Sequence, residues 1–190
     1  MKATAIIFAA MMLISNVSVA EDVSYTHVRL NYVNTELDIG PVDVDGDGLE
    51  LKGSWAATNN VFVFGDYSDV DFDFDVDASR LELGGGYRYA VRPRIDLVGR
   101  AGYSRIDLST SGVDADDDGL LFSGGVRSRM TDRIEGRAAL NYRMMDESDN
   151  NTEFEFGGDF FVTQNVSLGA ALCLGDDATT WSFGGRYAFQ

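Results

Sequence analysis

The sequence predicts an all-β protein: a closed antiparallel up-and-down transmembrane β-barrel of about ten strands, with about eight as the alternative. Apolar and polar residues alternate along most of the chain, as expected when successive side chains point to opposite faces of a strand. The polar face carries charges of both signs. Short connections also alternate with longer acidic ones, a pattern typical of barrels in an outer membrane.

Residues 1–20 are predicted to be a secretory signal peptide. Lys2 supplies a positive start, residues 5–14 are mainly apolar, and residues 18–20 form a small-x-small cleavage site. The apolar run is too short for a transmembrane helix. We therefore expect an exported protein whose residues 21–190 form one outer-membrane β-barrel domain.

The composition limits the possible classes of protein. The 190 residues carry a net charge of −16, which argues against nucleic acid as a partner. The single cysteine cannot form an internal disulfide. With 45% hydrophobic residues, the chain is too apolar to be a disordered acidic polymer.

The alternation predicts the strands one by one. They lie at about 23–34, 47–57, 61–71, 77–89, 95–107, 119–129, 133–145, 152–162, 166–175 and 180–190. In the last of them, Trp181, Phe183 and Tyr187 share a bulky apolar face, which would contact lipid. The third is ambiguous, because Phe62 and Phe64 lie opposite its other apolar residues.

The polar faces are predicted to line the barrel interior as a network of ion pairs, since buried charges are tolerated only when paired. The charged residues on these faces are Arg29, Lys52, Arg80, Arg88, Arg100, Arg127, Arg137, Arg143, Arg186, Glu50, Glu82, Glu135, Glu153, Glu155 and Asp159. A soluble β-sandwich could expose the same face to water. The lengths and charges of the connections favour the barrel over the sandwich.

The connections are sorted by length and charge. The short ones are 57–60, 90–94, 130–132 and 163–165, and the mostly longer, acidic ones are 35–46, 107–118, 146–151 and 176–177. Short turns are typical of the periplasmic side and long loops of the extracellular side. An even number of strands would leave both chain termini in the periplasm.

Residues 182–189 resemble the C-terminal β-signal of outer-membrane proteins, although Gln190 follows the final Phe. That signal is read by the barrel assembly machinery. Through residues 23–26, 64–68 and 80–87, the chain also resembles small barrels of the OmpX and OmpA type. It is most similar to the small secreted or vesicle-associated barrels first described in xanthomonads. The resemblance implies an outer-membrane location, with lipid and lipopolysaccharide as surroundings, and no defined activity.

Two acidic runs, 43–48 and 114–119, share the D-x-D-x-D-G spacing of a calcium loop. Alternate carboxylates on a glycine-bent loop can converge on a hard cation. The twelfth position is Ser54 or Gly125 rather than the Glu of an EF-hand. We expect either a solvated acidic loop or a Ca²⁺ or Mg²⁺ site. The candidate ligands are Asp43, Asp45, Asp47, Asp114, Asp116 and Asp118.

A third acidic stretch, 69–77, alternates strictly between Asp and apolar residues. It is expected to extend two strands beyond the membrane as one hairpin. Phe72 and Phe74 would then bind a partner or pack on neighbouring loops.

The sequence predicts a monomeric, non-enzymatic barrel with a structural or surface-interaction role, without catalytic residues or an organic cofactor. The only histidine, His27, is expected near the periplasmic end, too far from the acidic loops for joint catalysis. A narrow passive pore for small solutes is the alternative, and a surface enzyme the third hypothesis.

Overall fold

The computed structural model describes residues 23–39, 42–73, 76–110 and 113–189, and the predicted signal peptide lies outside them. The strands are β1 (His27–Ile39), β2 (Val42–Ala56), β3 (Val61–Phe72), β4 (Val76–Arg92), β5 (Ile95–Thr110), β6 (Val113–Arg129), β7 (Ile134–Met145), β8 (Asn151–Phe161), β9 (Val166–Leu174) and β10 (Ala178–Ala188). Within the described residues, no helix is long and apolar enough to cross a membrane.

The strands form a closed barrel in chain order. Each pairs antiparallel with the next, and β10 returns to β1 from the pair of His27 and Ala188 to the pair of Leu37 and Ala178. The predicted fold class is confirmed, with ten strands rather than eight. Closure gives the first and last strands a backbone hydrogen-bonding partner on both sides, which lipid cannot provide.

Two predicted loops are wrong. Residues 35–46 and 107–118 belong largely to strands, and their acidic residues pair across hairpins, as Glu36 does with Asp45 and Asp107 with Asp116. Dense negative charge suggested a solvated loop, but every second residue is still directed to one face. The ladder of backbone hydrogen bonds therefore continues well past the part of the strands whose outward residues are apolar.

The hairpin predicted for residues 69–77 is confirmed, since β3 continues to Phe72 and β4 begins at Val76. Phe74 lies outside the described residues. The first strand begins later than predicted. Residues 23–26 precede β1 and enter the barrel.

The barrel wall is taller on one side. Strands β2, β4, β5 and β6 have 15, 17, 16 and 17 residues, whereas β8, β9 and β10 have 11, 9 and 11. The extra residues lie at the end opposite the chain termini. β7 pairs with β6 only as far as Gly119, although β6 begins at Val113.

Adjacent glycines of β6 test which face is closely packed. A Cβ on the inward Gly125 would lie 2.5 Å from the carbonyl oxygen of Ala138, whereas one on the outward Gly124 would meet nothing within 4 Å. We expect Gly125→Ala to destabilise the barrel by about 1–3 kcal/mol. Gly124→Ala should be neutral or slightly stabilising.

The stability of both variants is measured by unfolding in urea, with heat-modifiable gel migration in detergent as the readout of the folded fraction. Equal losses of stability would contradict the assignment of the two faces.

Candidate functional site

A belt of exposed apolar side chains surrounds the barrel. Phe183 is 61% exposed, Trp181 58% and Leu51 43%, and all point outward. Such residues recur on every strand, including Leu30, Tyr87, Leu97, Phe122, Leu140, Phe156 and Leu168. A soluble monomer rarely exposes so much contiguous apolar surface. The belt is the expected lipid-contacting surface of a transmembrane barrel.

The interior is filled by ion pairs. Glu135 is 1% exposed, and its carboxylate accepts hydrogen bonds from Arg127 at 2.7 Å and from Arg186 at 2.8 Å. Asp159 is 3% exposed and pairs with Arg29 and with Arg137, the latter at 3.0 Å. Each buried carboxylate thus has more than one guanidinium partner, which offsets its loss of hydration.

A second group of pairs lies further from the chain termini. Arg143 contacts Glu82 at 2.6 Å and Glu153 at 2.7 Å. Lys52 contacts Glu50 at 2.8 Å. The predicted interior network is therefore confirmed. Of these pairs, Arg143 with Glu82 joins strands far apart in the chain, β7 and β4, across the barrel interior.

An apolar plug closes the end that holds both termini. Val23 and Tyr25 are 4% and 5% exposed, and they pack with Phe62, Phe64 and Leu121. This arrangement settles the ambiguity of the third strand, because both phenylalanines point inward. Residues 23–26, which precede β1, thus fold into the barrel and close this end of it.

Polar contacts hold the plug in place. The Tyr25 hydroxyl donates to Asp96 at 3.0 Å, and the guanidinium groups of Arg127 and Arg88 lie 4.6 and 5.1 Å from the centre of its ring. The plug is therefore continuous with the ion-pair network. Cation–π contacts of this kind strengthen when desolvated.

The remaining interior space is small. A cavity of about 120 Å³ lies between the plug and the ion pairs, and His27, Lys52 and Arg100 contribute to its lining. A second, of about 50 Å³, lies above it against Glu82 and Arg143. Such volumes suit a few water molecules rather than a solute path.

Beyond the apolar belt, the outward faces of β1, β2, β3, β5 and β6 become acidic. We call this group of exposed or half-exposed side chains the acidic belt: Glu36, Asp45, Asp47, Asp69, Asp71, Asp107, Asp114, Asp116 and Asp118. A tyrosine marks its lower boundary on β5, since the Tyr103 hydroxyl donates to Asp118 at 2.6 Å.

The candidate metal ligands Asp45, Asp47, Asp114, Asp116 and Asp118 are part of this belt rather than of bent loops. Alternate carboxylates on an extended strand lie about 7 Å apart, too far to share one ion. Pairs across a hairpin, such as Asp45 with Glu36, are nearer. The side chain of Asp43 lies outside those described. Among the described residues, no group of His, Cys, Asp or Glu forms a ready metal site. Metal binding stays a prediction.

The two acidic runs differ in their counter-ions. Arg105 contacts Asp107 at 2.8 Å, Asp116 at 3.2 Å and Asp118 at 3.7 Å. The hydrogen bonds between Arg105 and Asp107 lower the pKa of that carboxyl and raise the pKa of the guanidinium. Within the described part of the chain, Asp45 and Asp47 have no such cation.

The comparisons with known proteins agree with this geometry. The model of the outer membrane protein beta-barrel domain family matches residues 5–189. The chain belongs to this family. A search of curated proteins found no match. As an outer-membrane barrel with an even number of strands, it has its chain termini and the plug at the periplasmic end, and the taller wall at the extracellular end.

Several solved structures are similar to this chain at low sequence identity. The beta domain of the Bordetella autotransporter BrkA is 12% identical, with 87% of this chain and 100% of that chain covered and a TM-score of 0.50. OprG of Pseudomonas aeruginosa is 12% identical, with coverages of 88% and 97% and a TM-score of 0.48. Ail of Yersinia pestis is 16% identical, with coverages of 86% and 99% and a TM-score of 0.43.

Sequence reasoning missed the plug and two interior carboxylates. Asp66 contacts Arg100 at 3.2 Å, and Asp96 bonds Tyr25. The alternation itself places Asp66 with the inward Phe62 and Phe64. No local signal marked Tyr25 as a plug, because its partners come from distant strands.

We expect loss of a buried charge to be costly here. Glu135→Gln keeps the side-chain shape but leaves Arg127 without a carboxylate among the described residues and Arg186 with only Asp159 at 3.9 Å. The free energy of unfolding should therefore fall by about 3–5 kcal/mol. Urea unfolding in lipid vesicles measures this. Asp132→Asn is the control, since it breaks the exposed pair with Arg94 at 2.8 Å and should cost less than about 1 kcal/mol. Equal costs would contradict the assigned role of Glu135.

Proposed function

We propose that this protein is a non-enzymatic outer-membrane barrel whose extracellular part serves as a structural or surface-interaction element. One observation carries the proposal: ion pairs fill the interior and an apolar plug closes its periplasmic end. A barrel filled in this way has no evident path for solutes. The surface that then remains accessible from outside the cell is the extracellular wall.

The alternative of a narrow passive pore has less support. A solute would have to pass the pairs of Arg143 with Glu82 and of Arg186 with Glu135, and then displace Tyr25. Each step would separate buried charges or expose apolar side chains, and both are unfavourable.

A surface enzyme also has little support. His27 is the first residue of β1, at the periplasmic end, and lines the small cavity beside the plug. The acidic belt lies at the other end of the strands, across the membrane. A general base and a carboxylate so far apart cannot act on one substrate.

The acidic belt suggests a role for divalent cations. Carboxylates at the height of lipopolysaccharide phosphates would repel them unless a cation bridges the two groups. We propose that Ca²⁺ or Mg²⁺ does so, with Asp43, Asp45 and Asp47 as preferred ligands because Arg105 already neutralises part of the other run.

Assembly and location complete the proposal. Residues 182–189, which resemble the β-signal, overlap β10, the strand that closes the barrel against β1, and the assembly machinery would guide closure there. We propose a monomer resident in the outer membrane and in vesicles shed from it. Its sequence resemblance to the family first described in xanthomonads supports the vesicle location.

We expect no stable conductance steps from the purified protein in planar bilayers. The variant Tyr25→Ala identifies the source of any current, because removing the plug should enlarge steps that pass through this interior and leave a contaminant's steps unchanged. Wild-type steps of uniform size that grow in the variant would establish the pore instead.

Thermal stability in lipopolysaccharide-containing vesicles should rise with Ca²⁺ or Mg²⁺ relative to chelator. The double variant Asp45→Asn, Asp47→Asn should lose most of this gain, and Asp116→Asn, Asp118→Asn should lose less because Arg105 already pairs with both residues. Periplasmic Asp132→Asn is the control. Identical melting in cation and chelator would reject the bridging role.

A further inference from the structure

The polarity of the barrel wall reverses above the apolar belt. There the outward faces carry the acidic belt, whereas the inward faces carry mainly apolar side chains such as Leu37, Val44, Phe72, Val76 and Leu108. Asp117 on β6 is an inward exception, and its carboxylate is bonded to the connection after β7. Below this level, inward positions hold the ion pairs. The extracellular wall, made by the upper parts of β1 to β6, is therefore a sheet with an acidic outer face and an apolar inner face.

The inner face is continuous across the wall. Leu37 pairs with Val44, Phe72 with Val76, and Leu108 with Ala115, each on an adjacent pair of strands. The described side chains are half-buried or exposed, and Leu108 is 45% exposed. An apolar sheet face of this kind is normally packed against a second layer.

The opposite side of the barrel is too low to supply that layer. Residues 113–118 of β6 rise above β7, about 20 Å along the strand. The connections 146–150 and 175–177 form the low rim. The apolar inner face consequently looks over the mouth of the barrel and above this rim.

The low rim is acidic. Asp146, Glu147, Asp149, Asp176 and Asp177 are exposed, and neither connection contains Lys or Arg. The rim is fixed to the wall, because the backbone N–H groups of Glu147 and Ser148 donate to Asp117 at 3.0 and 2.9 Å. Hydrogen bonds from the Ser148 hydroxyl and these N–H groups lower the pKa of Asp117, so it stays charged.

The nearest cations in the interior are already paired. Arg143 contacts Glu82 and Glu153, and Arg80 contacts Glu153 at 3.5 Å. The mouth thus combines an apolar wall with a rim of unneutralised carboxylates. Charge complementarity selects a partner that is both basic and apolar.

We propose that the extracellular mouth docks a cationic amphipathic polypeptide segment. Its apolar side chains lie on the inner face at Leu37, Phe72 and Leu108, and its Lys or Arg side chains meet the carboxylates of the low rim. This inference rests on the proposed surface-interaction role and names the partner of that role. A second copy of the chain would bring the same carboxylates, and phosphate-bearing lipid would be repelled by them.

The test uses the full-length mature barrel in zwitterionic lipid nanodiscs, where detergent cannot compete for the apolar face. A labelled peptide of alternating Lys and Leu is the probe, and binding is followed by fluorescence anisotropy at several salt concentrations. A peptide of the same charge with Ser in place of Leu is the control. We expect the Lys–Leu peptide to bind more tightly, and to weaken as salt rises.

Variants separate the two halves of the site. Leu37→Ser with Leu108→Ser should weaken binding on the order of tenfold, because each leucine loses buried apolar area. Asp176→Asn with Asp177→Asn should weaken it several-fold and flatten the salt dependence. Asp69→Asn with Asp71→Asn removes equal charge from the outer face and should change little. Heat-modifiable migration verifies folding of each variant.

Several results would overturn the inference. Equal losses from the rim and outer-face variants, or none from the leucine variant, would mean non-specific attraction to an acidic protein. Self-association that the leucine variant abolishes would assign the face to a second copy. Direct binding of anionic vesicles to the barrel in the absence of peptide, abolished by the leucine variant, would assign it to lipid. The proposed function is tested separately, by conductance in planar bilayers. Each result above would overturn the docking inference without any conductance being seen, so the two failures are distinguishable.

Discussion

The closed ladder of backbone hydrogen bonds is the constraint on which the rest of this structure depends. A strand in lipid has no water to satisfy its N–H and C=O groups, so β1 and β10 must pair with each other. Once the ladder is closed, each side chain has only two directions available. The position of a residue along its strand, odd or even, therefore decides whether its side chain faces the interior or the surroundings.

Closure explains why the interior can be so highly charged. Inward side chains of opposite sign meet across the barrel, as Arg143 and Glu82 do from β7 and β4. A buried charge would be prohibitive alone, but the enclosed geometry gives each one a partner. The interior then resembles a polar core, and the apolar plug at Tyr25 completes its periplasmic end. The stability of the barrel and the filling of its interior by side chains have the same origin.

The same ladder continues past the membrane, where the surroundings change. Outward positions meet water and head groups instead of acyl chains, and they become acidic. Inward positions no longer need ion pairs and become apolar, as Phe72 and Leu108 show. Because β7 to β10 end lower, this inner face is left over an acidic rim. Unequal strand lengths therefore give the extracellular end its shape, in which an apolar wall rises above an acidic rim.

The sequence by itself determined the strand periodicity, the even number of strands, the lipid-facing rows and most of the interior charges, without Asp66 and Asp96, because all of these depend on local alternation. It did not separate strand from loop at 35–46 and 107–118, where acidity masked an unbroken alternation. Only the tertiary structure decided that Arg105 neutralises one acidic run and not the other, that Tyr25 plugs the interior, and which arginine pairs with which carboxylate. Some of those partners lie on the next strand, as Asp116 does for Arg105, and others lie across the barrel, as Asp96 does for Tyr25. They are set by register and barrel closure, which the local sequence does not encode.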